Sequence, residues 1–369
     1  MIKCDTQAGK LSVSEAVGQL ARAYTALIRA GVSLRRFPSV MLWGPPGVGK
    51  SQGVKQLGTA LAQRTGKRVE ITDVRLLLFN PVDLRGIPTA NADKTLAVWL
   101  RPKIFQMDED DGVINILFLD EISAAPQSVQ AAAYQITLDR TVGEHKLPEN
   151  CIVIAAGNRV TDRSVAYNMP RALANRLCHL EIVSDSGSWH EWAVMAGINR
   201  VVLGFLSSRP GMLTGGDIDE NTLSFPTPRS WEMVSNVLNH VSENIDDVFP
   251  LISGCIGEEA AHALRAWSEV YSRVPPMSAI VSGEECGVPV RPESLFAVAS
   301  QIPPYMRCCR DERELKNVIG YAARLPVEFR DRVFSDLLEI RPLHEQLQKN
   351  AVFDDWFMRS GRYWEDYGL

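Results

Sequence analysis

Gly44-Pro45-Pro46-Gly47-Val48-Gly49-Lys50-Ser51 is the most chemically specific stretch of the chain. It matches G-x-x-x-x-G-K-[ST], a loop whose glycines let the backbone curl so that successive N–H groups face phosphate oxygens. The pattern implies a bound nucleoside triphosphate, ATP in our reading. Lys50 is expected to reach the β- and γ-phosphates, and the Ser51 hydroxyl to ligate Mg2+. Gln52 follows in the same expected nucleotide-contacting run. An apolar run, Val40–Trp43, precedes the loop and a helical pattern follows it, which is the strand–loop–helix context such a loop requires.

A second constellation is Ile114-Asn115-Ile116-Leu117-Phe118-Leu119-Asp120-Glu121. A buried strand ending in two carboxylates puts negative charge at the carboxyl edge of a sheet, beside a phosphate loop. Asp120 is expected in the Mg2+ shell, and Glu121 is placed to orient or deprotonate an attacking water. The apolar run Cys151–Ala156 then leads into Gly157 and Asn158. An amide at that strand tip can donate and accept at once, bridging a water and the γ-phosphate.

These residues need a scaffold. A capping box (Ser12, Glu15) opens an amphipathic helix carrying Val13, Val17, Leu20, Tyr24, Leu27 and Ile28, with Gly31 as its stop. Apolar runs at Val40–Trp43, Arg68–Ile71, Ile114–Leu119, Cys151–Ala156 and His179–Ile182 alternate with helical patterns. Strands of this kind imply an α/β unit with a parallel sheet covered on both faces. Helical periodicity takes over near Ser188, and a further helical stretch follows Pro275 and Pro276, with amphipathic segments such as Glu314–Leu338. Arg209–Arg229 reads as a loop before a helix starting near Ser230. The expected domains are therefore 1–187, 188–275 and 276–369.

Composition narrows the function classes. A net charge of −5 gives no overall basic field for nucleic acid or an anionic membrane. No apolar run is long enough to span a bilayer, and the first residues lack a signal-peptide stretch, so a cytoplasmic protein is expected. The seven cysteines include no C-x-x-C pair, although Cys308 and Cys309 adjoin, and they read as reduced thiols. No H-E-x-x-H pattern suggests a transition metal. The acidic run Asp108–Asp111 lacks calcium-loop spacing and reads as a solvated loop. Trp356, Phe357 and Trp364 read as core packing.

GPPGVGKS, LFLDE and IAAGN in this order, followed by NRL and PTPRSWE, resemble the AAA+ ATPases. The MoxR-type branch is the nearest in pattern. Asn80-Pro81-Val82-Asp83-Leu84-Arg85-Gly86 is similar to its D-L-x-G segment, and Trp99–Phe105 falls where it carries an insertion in helix 2 and the G-P-L-F-like turn that follows. Arg101 and Lys103 depart from that turn's small or apolar residues. The resemblance spans residues 10–270. It implies an AAA+ nucleotide-binding domain followed by an α-helical lid and a helical C-terminal region. It also implies a homo-oligomeric ring, usually a hexamer, with ATP between subunits. A neighbour's arginine would then meet the γ-phosphate, and Arg176 in Asn175-Arg176-Leu177 matches it best, with Arg171 as the other candidate. The family's usual triplet is Asp-Arg-Phe. Arg229, in Pro226-Thr227-Pro228-Arg229, matches a lid arginine that senses phosphate in cis. The resemblance further implies a chaperone-like role on a protein partner, often one with a von Willebrand factor A domain. Ala90–Val98 and Arg140–Lys146 would then be hairpins at the ring face or pore, or ordinary surface hairpins. Two other readings compete: a nucleic-acid motor or loader on the same fold, and a nucleotide-gated scaffold, against which Glu121 argues. Few basic residues on the candidate loops (Lys94, Arg101, Lys103, Arg140, Lys146) disfavour the motor.

Overall fold

The computed structural model describes residues 10–159, 169, 174–215, 222–271, 273–308 and 311–367. The chain forms two compact units that divide between Asp185 and Ser186.

The first unit is built on a six-stranded parallel sheet in the order β1-β10-β2-β9-β6-β3. These strands are β1 (Lys10–Leu11), β2 (Val40–Trp43), β3 (Arg68–Arg75), β6 (Val113–Asp120), β9 (Cys151–Gly157) and β10 (Cys178–Ile182). Side chains alternate between two apolar layers, as strand periodicity dictates. Val40, Leu42, Ile116, Phe118, Ile152 and Ile154 pack with helices α1 (Val13–Arg29) and α2 (Lys50–Thr65). Met41, Leu117, Leu119, Val153 and Ala155 pack with α4 (Gln127–Asp139) on the opposite face. Each fully buried large apolar side chain contributes roughly 1.5–3 kcal/mol.

The capping box at α1 is formed: the Ser12 amide donates to the Glu15 carboxylate at 2.8 Å, and the Glu15 amide to Ser12 Oγ at 3.3 Å. The third strand runs past the expected Ile71 to Arg75, because Thr72–Arg75 stays in register with β6 as far as Asp120 despite its polarity. One strand of the sheet escapes hydropathy altogether: β1 is two residues long and pairs with Glu181 and Ile182.

Two antiparallel hairpins complete the unit, β4 (Ile87–Ala90) with β5 (Ala97–Leu100) and β7 (Thr141–Val142) with β8 (His145–Lys146). The short helix α3 (Pro81–Arg85), capped by Asn80 and Asp83, leads into the first hairpin. The hairpins are fastened to each other. His145 Nε2 donates to the Trp99 carbonyl at 2.8 Å, and a Cβ on Gly143 would collide with the Arg85 carbonyl. Arg140 is not a surface residue of the second hairpin. It caps α4 with φ 54°, is buried, and donates to the carbonyls of Cys151 (3.1 Å) and Phe37 (3.2 Å).

The second unit is helical. Residues on both sides of Pro275–Pro276, from Trp189 to Trp364, share one apolar core. A 3-10 turn at Pro210–Leu213 interrupts the loop expected there, and the next helix, Pro228–His240, begins at Pro228 under a Thr227 cap. Phe357 and Trp364 stack inside this core with ring centroids 4.0 Å apart, while Trp356 donates to Asp331 at 2.9 Å. Among the described residues no helix is long and apolar enough to cross a membrane.

Candidate active site

Strand β2 ends at Trp43, and the chain must turn at once to start α2 at Lys50. Glycine makes that turn possible. Gly47 (φ 77°) and Gly49 (φ 104°) adopt backbone that L side chains disfavour. A Cβ on Gly44 would run into the Ile182 carbonyl. Val48 is buried and packs into the sheet core, so its side chain is structural, while Pro45, Pro46 and Gln52 are exposed.

Lys50 and Ser51 open α2, where the unpaired amides and dipole of a helix N-terminus favour anions. Lys50 Nζ donates to the carbonyls of Gly44 (2.6 Å) and Pro45 (3.0 Å) and to Asn158 Oδ1 (2.9 Å). Ser51 Oγ donates to Asp120 Oδ2 at 3.0 Å. The tips of β2, β6 and β9 are thereby joined at the carboxyl edge of the sheet. A hydroxyl and a carboxylate are hard oxygen donors that fit Mg2+, which takes most of its remaining shell from phosphate and water. Among the described residues no cluster of three or more His, Cys, Asp or Glu is arranged to hold a metal.

Glu121 follows Asp120 in the left-handed region (φ 58°), with its amide donating to Asp120 Oδ1 at 2.9 Å and its side chain exposed. The Ile122 amide then bonds the Ala156 carbonyl at 3.0 Å, locking the turn to β9. Ser123, buried, accepts the Asn158 amide at 2.9 Å and so sets where Asn158 stands. Sequence reasoning missed Ser123; a small polar residue two places after Glu121 was the available signal. It also missed Asp73 on the neighbouring strand. Its pKa is raised by desolvation and by the negative charge of Asp120. Helix α1 lies against this site, since Val13 and Val17 line a small apolar hollow with Leu42, Lys50, Gly53 and Ile182.

Arg176 is exposed, in a turn immediately before β10. Arg171 lies outside the described residues. Arg229 belongs to the second unit, as the second residue of the Pro228–His240 helix, and is exposed.

Residues 39–179 match the model of the ATPase family associated with various cellular activities (AAA). That span, less than half of the chain, includes the glycine loop, Asp120–Glu121, Asn158 and Arg176. With its parallel sheet, the first unit has the AAA+ P-loop fold. No curated protein matches the sequence. Among solved structures, PCH-2 of C. elegans is 15% identical, over 71% of this chain and 70% of that one, with a TM-score of 0.35. A RuvB mutant from Thermotoga maritima is 15% identical, over 71% and 72%, at 0.39. NtrX from Brucella abortus, solved with ATP, is 14% identical, over 98% and 69%, at 0.35. Scores this low leave the functional reading to the residues themselves.

Proposed function

We propose that this chain is a ring-forming AAA+ ATPase of MoxR type that hydrolyses ATP at subunit interfaces to remodel or activate a protein partner. The observation that carries the hydrolytic part is the joining of Lys50 to Asn158 and of Ser51 to Asp120 at one sheet edge. In this reading the amides of Gly44–Ser51 and the Lys50 ammonium hold the triphosphate. Asp120 and Ser51 hold Mg2+, which neutralises charge on the β- and γ-phosphates when bound. Glu121 orients the attacking water and takes its proton, and Asn158 fixes that water against the γ-phosphate. Arg176 of a neighbouring subunit supplies positive charge where the transition state spreads negative charge. Arg229 senses phosphate in cis and couples it to the lid.

The remodelling role, a hexameric state and a client with a von Willebrand factor A domain rest on the motif order and on Asn80–Gly86. The buried Arg140 removes one of the few basic side chains a nucleic-acid motor would present on these loops.

Lys50→Ala is expected to lose ATP binding, whereas Glu121→Gln should bind ATP and turn over at least ~100-fold more slowly. ATPase rate per subunit should rise with protein concentration as rings form. Equal ATP affinity in wild type and Lys50→Ala would defeat the site, and full activity in isolated monomers would defeat the shared interface.

A further inference from the structure

Strand β10 carries a side chain that the proposed chemistry does not use. His179 employs both ring nitrogens. Trp43 Nε1 donates to His179 Nδ1 at 2.8 Å, and His179 Nε2 meets the Ala174 carbonyl at 2.7 Å. An indole N–H can only donate, so Nδ1 must be the acceptor and Nε2 must carry the proton given to Ala174. The two rings also stack, with centroids 6.0 Å apart and planes 13° from parallel.

The two ends of this bridge matter. Trp43 is the last residue of β2, and Gly44 follows it directly. The Ala174 carbonyl also accepts the Leu177 amide at 3.3 Å, closing the turn that carries Asn175 and Arg176. Leu177 is buried, whereas Arg176 is exposed with no hydrogen bond or ion pair to another described residue. Nothing seen at the guanidinium aims it, so its aim depends on the backbone of that turn. Two residues along β10, buried Glu181 pairs with Arg159 at 2.7 Å, next to Asn158. One strand therefore ties the roots of the phosphate loop, the Asn158 loop and the Arg176 turn.

We propose that His179 is a positioning residue for Arg176, holding the arginine's turn in a fixed relation to the strand that leads into the phosphate loop. This rests on the reading of Arg176 as the arginine given to a neighbouring subunit. The role needs an acceptor and a donor on one side chain at opposite ends. Leucine has neither, whereas glutamine has both.

His179→Leu should keep ATP affinity and assembly while turnover falls on the order of 10–100-fold, the scale set by a misplaced catalytic group. His179→Gln should recover most of that loss. The decisive measurement mixes subunits. His179→Leu subunits keep Glu121, and Glu121→Gln subunits keep a well-aimed Arg176, so mixed rings contain an interface in which both are intact. ATPase activity above that of either variant alone is expected, as it is for an Arg176→Ala plus Glu121→Gln control. Recovery in the control but not with His179→Leu would overturn the role of His179 alone. No recovery in the control would remove the shared arginine and the role of His179 with it. Parallel loss of ATP affinity and assembly in His179→Leu, unrelieved by His179→Gln, would likewise overturn the proposal by making the bridge a general stabiliser of the fold.

Discussion

Glu121 shows what the site costs at the level of a single residue. A non-glycine side chain at φ 58° carries about 1–2 kcal/mol of backbone strain, and here it falls on the carboxylate assigned to the attacking water. Replacing it separates strain from chemistry. Glu121→Gly and Glu121→Ala should be equally inactive, yet the glycine variant should be the more stable by about 1 kcal/mol in thermal unfolding. The reverse order would mean that the turn relaxes without glycine. Residues whose type and local spacing are dictated by chemistry were readable from the sequence, among them Lys50 and Asn158, and Ser51 and Asp120, which the structure joins in two hydrogen-bonded pairs. Ser123, Asp73 and the Trp43–His179 pair were not. Their partners arrive through strand register between distant segments, which no local spacing encodes.

Among elements, α1 was legible in full because a capping box and a helical apolar stripe are both local signals. What could not be read was where it would lie. Gly53 and Gly49 let it approach the first turn of α2: a Cβ on Gly53 would stand 3.0 Å from Val13 Cγ1. Ser12→Ala should cost about 1 kcal/mol in denaturant unfolding, the usual worth of such a cap. Because Val13 is the first residue of α1, ATP affinity should fall with it; unchanged affinity would mean that α1 lends the phosphate loop no support. The hairpins teach the complementary lesson. Both were expected from the resemblance, at Ala90–Val98 and Arg140–Lys146, but the His145–Trp99 bond and the Gly143 contact that join them are tertiary. Arg140, in turn, was misplaced because a charged residue beside a hairpin reads as exposed. Two backbone carbonyls in the interior accept it instead.

Across the whole molecule, the helical unit carries a built-in dependence on pH. Burial first, and the positive charge of Arg307 second, push His190 down from 6.5 to about 4. Below pH 6.5 the unfolded chain takes up a proton that the folded unit refuses until about pH 4. Stability from this group is therefore complete above 6.5, falls between 6.5 and 4, and levels off below. The loss should reach up to about 3 kcal/mol, and His190→Gln should flatten that part of a melting-temperature profile against pH. A profile unchanged by the substitution would show that His190 titrates alike in both states.

The parallel sheet has a consequence for life at high concentration. A sheet edge is a row of unpaired amides and carbonyls, able to template a strand from another molecule and so seed aggregation. Among the described residues one edge is β1, two residues long and too short to recruit a partner firmly. The other is the eight-residue β3, which carries Arg68, Glu70, Asp73 and Arg75, with Arg68 held between Glu70 (3.2 Å) and Asp108 (2.6 Å). An incoming strand would have to strip water from charges of both signs to dock there. The polarity that hid the end of β3 from hydropathy should therefore disfavour sheet-to-sheet pairing between crowded copies of this chain.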